Sequence, residues 1–242
     1  MATFEAVREA HTRIASHVHR TPVLTCATLD AELGMRVWFK CENLQKVGAF
    51  KARGAVNAVL SLSEELAIRG VATHSSGNHA AALAYAARIR GIPCTVVMPK
   101  SAAPIKVEAV RGYGARIVFC EEGQRESTCD AVLAETGASF IPPFDPPHTV
   151  PGQGTPALEL IEHVPDLDVI VAPVGGGGLL AGTALAASGQ EQPPRVFGAE
   201  PDAVDDAYRS IESGVRQPGV SSPKTIADGL LTGLGELNFS IL

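Results

Sequence analysis

No apolar run in this 242-residue sequence approaches the ~20 residues that a membrane-spanning helix requires. One of the longest, Val169 to Val174, ends in glycines. The first residues, Met1-Ala-Thr-Phe-Glu-Ala-Val-Arg, carry an early acid and lack the apolar core of a secretory signal. They read as the start of an amphipathic helix, and a cytoplasmic protein is expected. There is no Lys/Arg block, and the formal charge is −6, so nothing offers nucleic acid an electrostatic footprint. A small molecule is the expected partner. The five cysteines, Cys26, Cys41, Cys94, Cys120 and Cys129, form no Cys-x-x-Cys pair and are odd in number. That excludes a disulfide framework and a zinc site, and leaves reduced, mostly packed thiols. Internal repeats and low-complexity tracts are absent as well.

What is present is a core-forming composition, 45% hydrophobic, enough for one large domain or two modest ones. Between Val71 and Ile141 short apolar runs alternate with helical stretches, each closed by glycine, which is the pattern of βαβ units and a parallel sheet. Strands are predicted at Gly70 to His74, Thr95 to Met98, Arg116 to Phe119 and Ser139 to Ile141. Helices fall between them near His79 to Arg90, Pro104 to Tyr113 and Glu126 to Thr136, with Gly91, Gly114 and Gly137 at their C-caps. Outside this block lie a helix from Phe4, a strand at Val37 to Cys41, a helix after Lys51, and strands at Val169 to Pro173 and Val196 to Ala199. The expected fold is α/β in two lobes: residues 72–147 form a small lobe inserted into a larger one made of 1–71 and 148–242. Ile141-Pro-Pro-Phe-Asp-Pro-Pro-His marks the crossing, because prolines deny a strand its ladder donors.

Three motifs carry chemistry. Pro173-Val-Gly-Gly-Gly-Gly-Leu-Leu-Ala-Gly ends an apolar strand and opens a helix. Successive glycines let backbone N–H groups converge on one anion at the positive end of the helix dipole, which suits a phosphate. A side chain at Gly176 or Gly177 is expected to occupy the space of the phosphate oxygens or to forbid the needed φ. His74-Ser-Ser-Gly-Asn-His-Ala also joins a strand to a helix, and its donors suit a carboxylate. Taken alone, an ordinary helix cap explains it equally well. Glu42-Asn-Leu-Gln-Lys-Val-Gly-Ala-Phe-Lys-Ala-Arg-Gly-Ala places Lys51 at a helix start beside Phe50, where a desolvated amine becomes a nucleophile. Anion site, carboxylate site and amine together are the parts of Schiff-base chemistry.

In this order and spacing the three motifs resemble the fold-type II pyridoxal-phosphate enzymes of the serine/threonine dehydratase and serine racemase group, which share a tryptophan synthase β-like architecture. Supporting stretches are Arg20-Thr-Pro-Val, Ile141-Pro-Pro-Phe-Asp, Gly152-Gln-Gly-Thr and Thr225-Ile-Ala-Asp-Gly. The form Ser-Ser-Gly-Asn-His separates the chain from cysteine synthases, which typically have Thr-Ser-Gly-Asn-Thr. The resemblance implies twisted, mostly parallel sheets flanked by helices, and pyridoxal 5'-phosphate attached to Lys51, which doubles as catalytic base. It implies Phe50 packed near the ring, Asn78 on the ring oxygen, and Gly175, Gly176, Gly177 and Gly178 around the phosphate. Ser75, Gly77, Asn78 and His79 would bind the substrate carboxylate, with Ser76 on the face opposite Lys51.

The implied activity is β-elimination from L-threonine or L-serine to a 2-oxo acid and ammonia, in a homodimer. The alternatives are serine racemization through Ser76 and a truncated, non-catalytic cofactor-binding homologue. The last is raised because the sequence stops at Asn238-Phe-Ser-Ile-Leu, and the family's late serine that meets the pyridine nitrogen has no counterpart in it. A second departure is Ala49, where many relatives carry serine. Finally, Gly198-Ala-Glu-Pro-Asp-Ala-Val-Asp-Asp resembles the family's divalent-cation segment. By that likeness Glu200, the carbonyl of Val204 and Asp206 hold Mg²⁺ or Ca²⁺, hard ions that favour all-oxygen ligands.

Overall fold

The computed structural model describes residues 3–144, 148–221 and 224–242. Part of the proline-rich crossing, residues 145–147, lies outside the described residues, as do the first two residues of the N-terminal stretch.

In chain order the elements are α1 Phe4–Ile14, β1 Val23–Thr25, α2 Ala27–Leu33, β2 Trp38–Lys40, α3 Lys51–Leu60, α4 Glu64–Ala67, β3 Val71–His74 and α5 Asn78–Arg90. They continue with β4 Cys94–Pro99, α6 Pro104–Gly112, β5 Arg116–Cys120, α7 Arg125–Thr136, β6 Ser139–Phe140 and α8 Thr149–His163. Last come β7 Val169–Pro173, α9 Gly178–Ser188, β8 Arg195–Ala199, α10 Asp206–Ser213 and α11 Glu236–Ile241.

Residues 71–140 build one four-stranded, fully parallel sheet in the order β5-β4-β3-β6. Side chains alternate across it. Val71, Val96 and Met98 pack with α5 and α6 on one face, while Ala72, Val97 and Cys120 pack with Cys129 and Val132 of α7 on the other. From β3 the chain winds outward through β4 to β5, then returns to place β6 on the other side of β3. Strand order therefore reverses at β3. The connections leaving β3 and β6 diverge there, opening the crevice at the strands' carboxyl ends where α/β sheets bind ligands.

The remaining strands do not form one sheet. β7 and β8 pair in parallel, as expected, but the strand predicted at Val37 to Cys41 joins neither. It shortens to β2 and pairs antiparallel with β1, a three-residue strand with no sequence signal of its own. The sheet system is mostly parallel, with that one exception.

Helix α8 is the main element that the sequence does not announce, since Val150-Pro-Gly-Gln-Gly-Thr-Pro argues against any helix. It forms because packing overrides propensity: Thr149 through Ile161 are all buried. Pro156 cannot donate to the carbonyl of Gly152, and the Thr155 hydroxyl does so instead at 2.8 Å. The glycines of the same run allow close helix approach. A Cβ on Gly152 would lie 2.7 Å from the Arg53 carbonyl oxygen of α3. A Cβ on Gly154 would lie 2.6 Å from the Gly182 carbonyl oxygen of α9, and one on Gly182 would lie 2.5 Å from the Gly154 nitrogen. Thus α8 sits between the helix that begins at Lys51 and the helix that begins at Gly178. Among the described residues no helix is long and apolar enough to cross a membrane.

Candidate active site

Lys51 is the first residue of α3. A 3-10 turn, Lys46–Gly48, delivers it, with Val47 held at φ 59° and Gly48 at φ 68°. A β-branched residue seldom adopts this left-handed conformation, so the turn is strained, and packing of Val47 against the α3–α5 core holds it in place. Lys51 is half-buried, with Nζ 5.2 Å from the Phe50 ring centroid, and it donates a 2.6 Å hydrogen bond to the carbonyl of Pro143. Among the described residues no carboxylate pairs with it. Burial without a counter-charge lowers its pKa to about 8, which makes the neutral amine accessible near physiological pH.

Two residues further on, Arg53 is completely buried. It donates to Glu42 at 2.8 and 2.9 Å, to Glu159 at 2.7 and 3.0 Å, to Thr155 at 3.2 Å and to the His19 carbonyl at 3.1 Å. Lys40 adds a 2.6 Å bond to Glu159, and Thr21 adds one to Glu42. Burial opposes the Arg53 charge, but the hydrogen bonds and charges of Glu42 and Glu159 outweigh it and hold the guanidinium above its usual pKa. Burial likewise opposes the Glu159 charge, and Arg53 with Lys40 reverses the balance, keeping that carboxyl below its ordinary value. The network ties α3, α8 and the Glu42–Leu44 turn together directly behind Lys51.

The loop after β3 carries Ser75, Ser76 and Gly77, all half-buried, and ends on Asn78, the exposed first residue of α5. Ser75 Oγ turns inward to accept from the Gly77 N–H at 3.3 Å. Among the described residues no hydrogen bond is made by the Ser76 hydroxyl or by the N–H groups of Asn78 and His79, so the helix start is open to an anion. The His79 side chain departs from expectation. It is buried and turned away from the loop, with Nε2 2.9 Å from the Ile141 carbonyl oxygen. Burial, and then the charge of nearby Lys51, lowers its pKa to about 3, so the ring is neutral and Nε2–H is the donor. Only the backbone N–H of His79 remains for a substrate.

Gly175, Gly176, Gly177 and Gly178 link β7 to α9. Gly177 has φ 87°, the one left-handed residue of the run and its strict requirement for glycine. Among the described residues nothing accepts from the four glycine N–H groups. Unpaired donors in a half-buried turn at a helix start are what a phosphate would satisfy. The Cα face of the run is different. A Cβ on Gly176 would overlap the Phe144 ring, one on Gly177 would lie 2.5 Å from Leu234 Cδ1, and one on Gly178 would lie 2.8 Å from the Phe144 carbonyl oxygen. A Cβ at Gly176 or Gly177 therefore meets protein, a conflict the sequence does not show, and at Gly177 the left-handed φ disfavours a side chain as well. Gly175 in turn backs onto Gly229, the last residue of the Thr225-Ile-Ala-Asp-Gly segment, and onto Leu230 after it.

At the segment predicted to hold a cation, Glu200 accepts from the N–H groups of Ala207 at 3.4 Å and Tyr208 at 2.6 Å, and Asp206 Oδ2 accepts from Leu234 at 2.7 Å. Glu200 thus caps the first turn of α10, and Asp206 ties α10 to the segment before α11. Val204 ends the 3-10 turn Asp202–Val204 beside them. Burial raises the Glu200 pKa, with a further push from the charges of Asp206 and Asp205. Among the described residues there is no group of three or more His, Cys, Asp or Glu suited to a metal.

The structure thus brings Lys51, the Ser75–His79 loop and the Gly175–Gly178 turn around the ends of β3, β6 and β7. Sequence reasoning missed Pro143, Phe144 and Asn238, and missed that Arg53 is buried. The stretch Ile141-Pro-Pro-Phe-Asp did stand out in the sequence, as a crossing between lobes and as a support of the family resemblance, but without a role for its residues in the site. Open amide donors and a desolvated lysine without a counter-charge fit the phosphate and carbonyl of pyridoxal phosphate.

Comparison with known proteins agrees. The model of a family described as pyridoxal-phosphate dependent enzyme matches residues 14–242. The chain is 50% identical over 239 residues to a β-hydroxyaspartate dehydratase of Paracoccus denitrificans, covering 98% of this chain and 76% of the relative. The crystal structure of the Dictyostelium discoideum serine racemase superposes with a TM-score of 0.94 at 48% identity, over 99% of this chain and 77% of that one. That of maize serine racemase gives 0.96 at 46% identity, over 99% and 73% respectively. A desolvated lysine, a cradle of open amides and a family model spanning nearly all of the sequence converge on one assignment: the chain belongs to the pyridoxal-phosphate-dependent enzymes.

Proposed function

We propose that the protein eliminates water from a β-hydroxy amino acid, L-threonine or L-serine in the first instance, to give a 2-oxo acid and ammonia. The observation that carries this reading is the Lys51 amine, desolvated, without a counter-charge and held by the Pro143 carbonyl next to Phe144, whose ring covers Gly176 of the turn with open N–H donors. Pyridoxal 5'-phosphate, when bound, supplies the electron sink for negative charge developing at the substrate α-carbon. In this assignment the N–H groups of Gly175 to Gly178 would hold its phosphate, Asn78 would hydrogen-bond its ring oxygen, and Phe50 would pack near the ring. The backbone N–H groups of Asn78 and His79, with Ser75 and Gly77 shaping the turn, bind the substrate carboxylate. Lys51 removes the α-proton and holds it on Nζ. We assign residues 1–71 and 148–242 to the cofactor-binding lobe and 72–147 to the inserted one, supported by a four-stranded sheet drawn wholly from 71–140.

Serine racemization is the second reading. It is favoured by the Ser76 hydroxyl, which has no partner among the described residues and so is available to return a proton to the α-carbon. Similarity to a β-hydroxyaspartate dehydratase adds 3-hydroxyaspartate to the substrates worth testing. Incubating the purified protein with pyridoxal phosphate and each amino acid, then assaying 2-oxo acid, ammonia and D-serine, separates these outcomes. Equal amounts of 2-oxo acid and ammonia support elimination; D-serine as the main product overturns it. Absence of cofactor absorbance after reconstitution would point to the non-catalytic homologue.

A further inference from the structure

Three residues of one short segment, Ile141, Pro143 and Phe144, reach the starts of α5 and α3 and the glycine turn. The Ile141 carbonyl accepts from His79 at 2.9 Å, at the start of α5. The Pro143 carbonyl accepts from Lys51 at 2.6 Å, at the start of α3. The Phe144 carbonyl accepts from Asn238 Nδ2 of α11 at 2.9 Å, and the Phe144 ring covers the Cα face of Gly176.

The same Asn238 Nδ2 lies 2.7 Å from the carbonyl oxygen of Gly176, and that oxygen also accepts from the Gly235 N–H at 3.1 Å. In a trans peptide the C=O and the following N–H point in opposite directions. With the Gly176 oxygen held toward α11, the N–H of Gly177 faces the other way, toward the side on which the glycine donors are open. A glycine run has no side chains to enforce this orientation, and its backbone is free to turn. The ring of Phe144 packs against the Gly176 α-carbon, where a Cβ would overlap it, and so fixes the position of that α-carbon.

We propose that Phe144 and Asn238 are positioning residues for the phosphate cradle. They clamp the Gly176–Gly177 peptide with its N–H toward the anion, and residues 141–144 set the spacing between that cradle and Lys51. The inference rests on the cofactor reading of the site and adds to it the element that holds the donors in place.

The test compares pyridoxal phosphate with pyridoxal, which has the same aldehyde but no phosphate. Both are titrated against wild type, Phe144→Ala and Asn238→Ala, with binding followed by absorbance and by borohydride trapping on Lys51. Losing one well-aimed, charge-assisted hydrogen bond should weaken affinity for pyridoxal phosphate roughly 10- to 100-fold in both variants, about 1.4–2.8 kcal/mol. Affinity for pyridoxal should stay within about twofold, a shift of ~0.4 kcal/mol. Phe144→Leu, which keeps an apolar group on Gly176, should restore most of the loss. If both ligands weaken together, or if neither does, the positioning role is overturned. If one variant fails to fold, the other carries the comparison, since each removes a different half of the clamp. A wild type that binds pyridoxal phosphate no better than pyridoxal overturns the phosphate cradle itself, a different failure from unchanged variants on a working cradle.

Discussion

Lys51 and Arg53 stand two residues apart at the start of the same helix, and the fold treats their charges in opposite ways. Arg53 has two carboxylates and fills its donor set, whereas Lys51 has one carbonyl and no counter-charge. One cation is made permanent and the other is made easy to discharge.

Replacing Arg53 by alanine should cost about 3–5 kcal/mol, because it leaves Glu42 and Glu159 facing each other in a buried site without their partner. Urea unfolding at pH 7 measures this. A loss below about 1 kcal/mol, the range of an exposed pair, would show that the network is solvated in solution.

Substituting Lys51 by alanine should abolish borohydride-trapped cofactor while leaving the fold intact. Trapping at Lys46 instead would refute the assignment. In wild type, the rate of cofactor attachment should rise with pH and level off above about 8, where the amine is neutral. The folded pKa lies below the unfolded value of 10.5, so between about 8 and 10.5 the unfolded chain binds the extra proton. Wild type should therefore gain stability relative to Lys51→Ala as pH rises through that window.

His79 predicts acid sensitivity. Its pKa falls from 6.5 to about 3 on folding, so its contribution is complete above 6.5 and is lost as pH drops toward 3. The slope from this one residue reaches about 1.4 kcal/mol per pH unit. In His79→Gln, whose amide can still donate to Ile141, denaturant melts between pH 6 and 4 should show a shallower decline. An unchanged slope would mean that the ring titrates freely.

We also propose Mg²⁺ or Ca²⁺ at Glu200, the Val204 carbonyl and Asp206, a reading that rests on the resemblance of this segment to the family's cation segment. Wild type should lose several degrees of Tm in EDTA and regain them with either cation. Asp206→Ala removes the acceptor of the Leu234 N–H and so is less stable from the outset. Its response to chelator, not its absolute Tm, is the measurement. Wild-type melts indifferent to both chelator and cation would remove the ion.

The inserted sheet was legible in the sequence because glycines such as Gly91 and Gly137, left-handed at φ 71° and 67°, close helices that separate apolar runs. Strand β1 was not, since three residues are too few for alternation to register. The proposed site residues Lys51 and Gly175 to Gly178 stood out in the sequence because each sits in a local pattern with its own logic. Phe144 and Asn238 did not. Their roles depend on contacts made across 94 and 62 positions of chain, where no local pattern forms. Arg53 carries no signal of its own in the sequence, and only the convergence of residues 42 and 159 shows it to be the centre of a buried network.

The contact between Gly154 and Gly182 bears on how this sequence can change over time. A clash between two side chains can be relieved when the partner shrinks, and such pairs drift together. Here each position collides with the other's backbone, at 2.6 and 2.5 Å, and the partner has nothing left to give up. Neither site can be rescued by a mutation at the other, so the two are frozen separately rather than coupled. A survey of viable variants should find both invariant and no covariation between them.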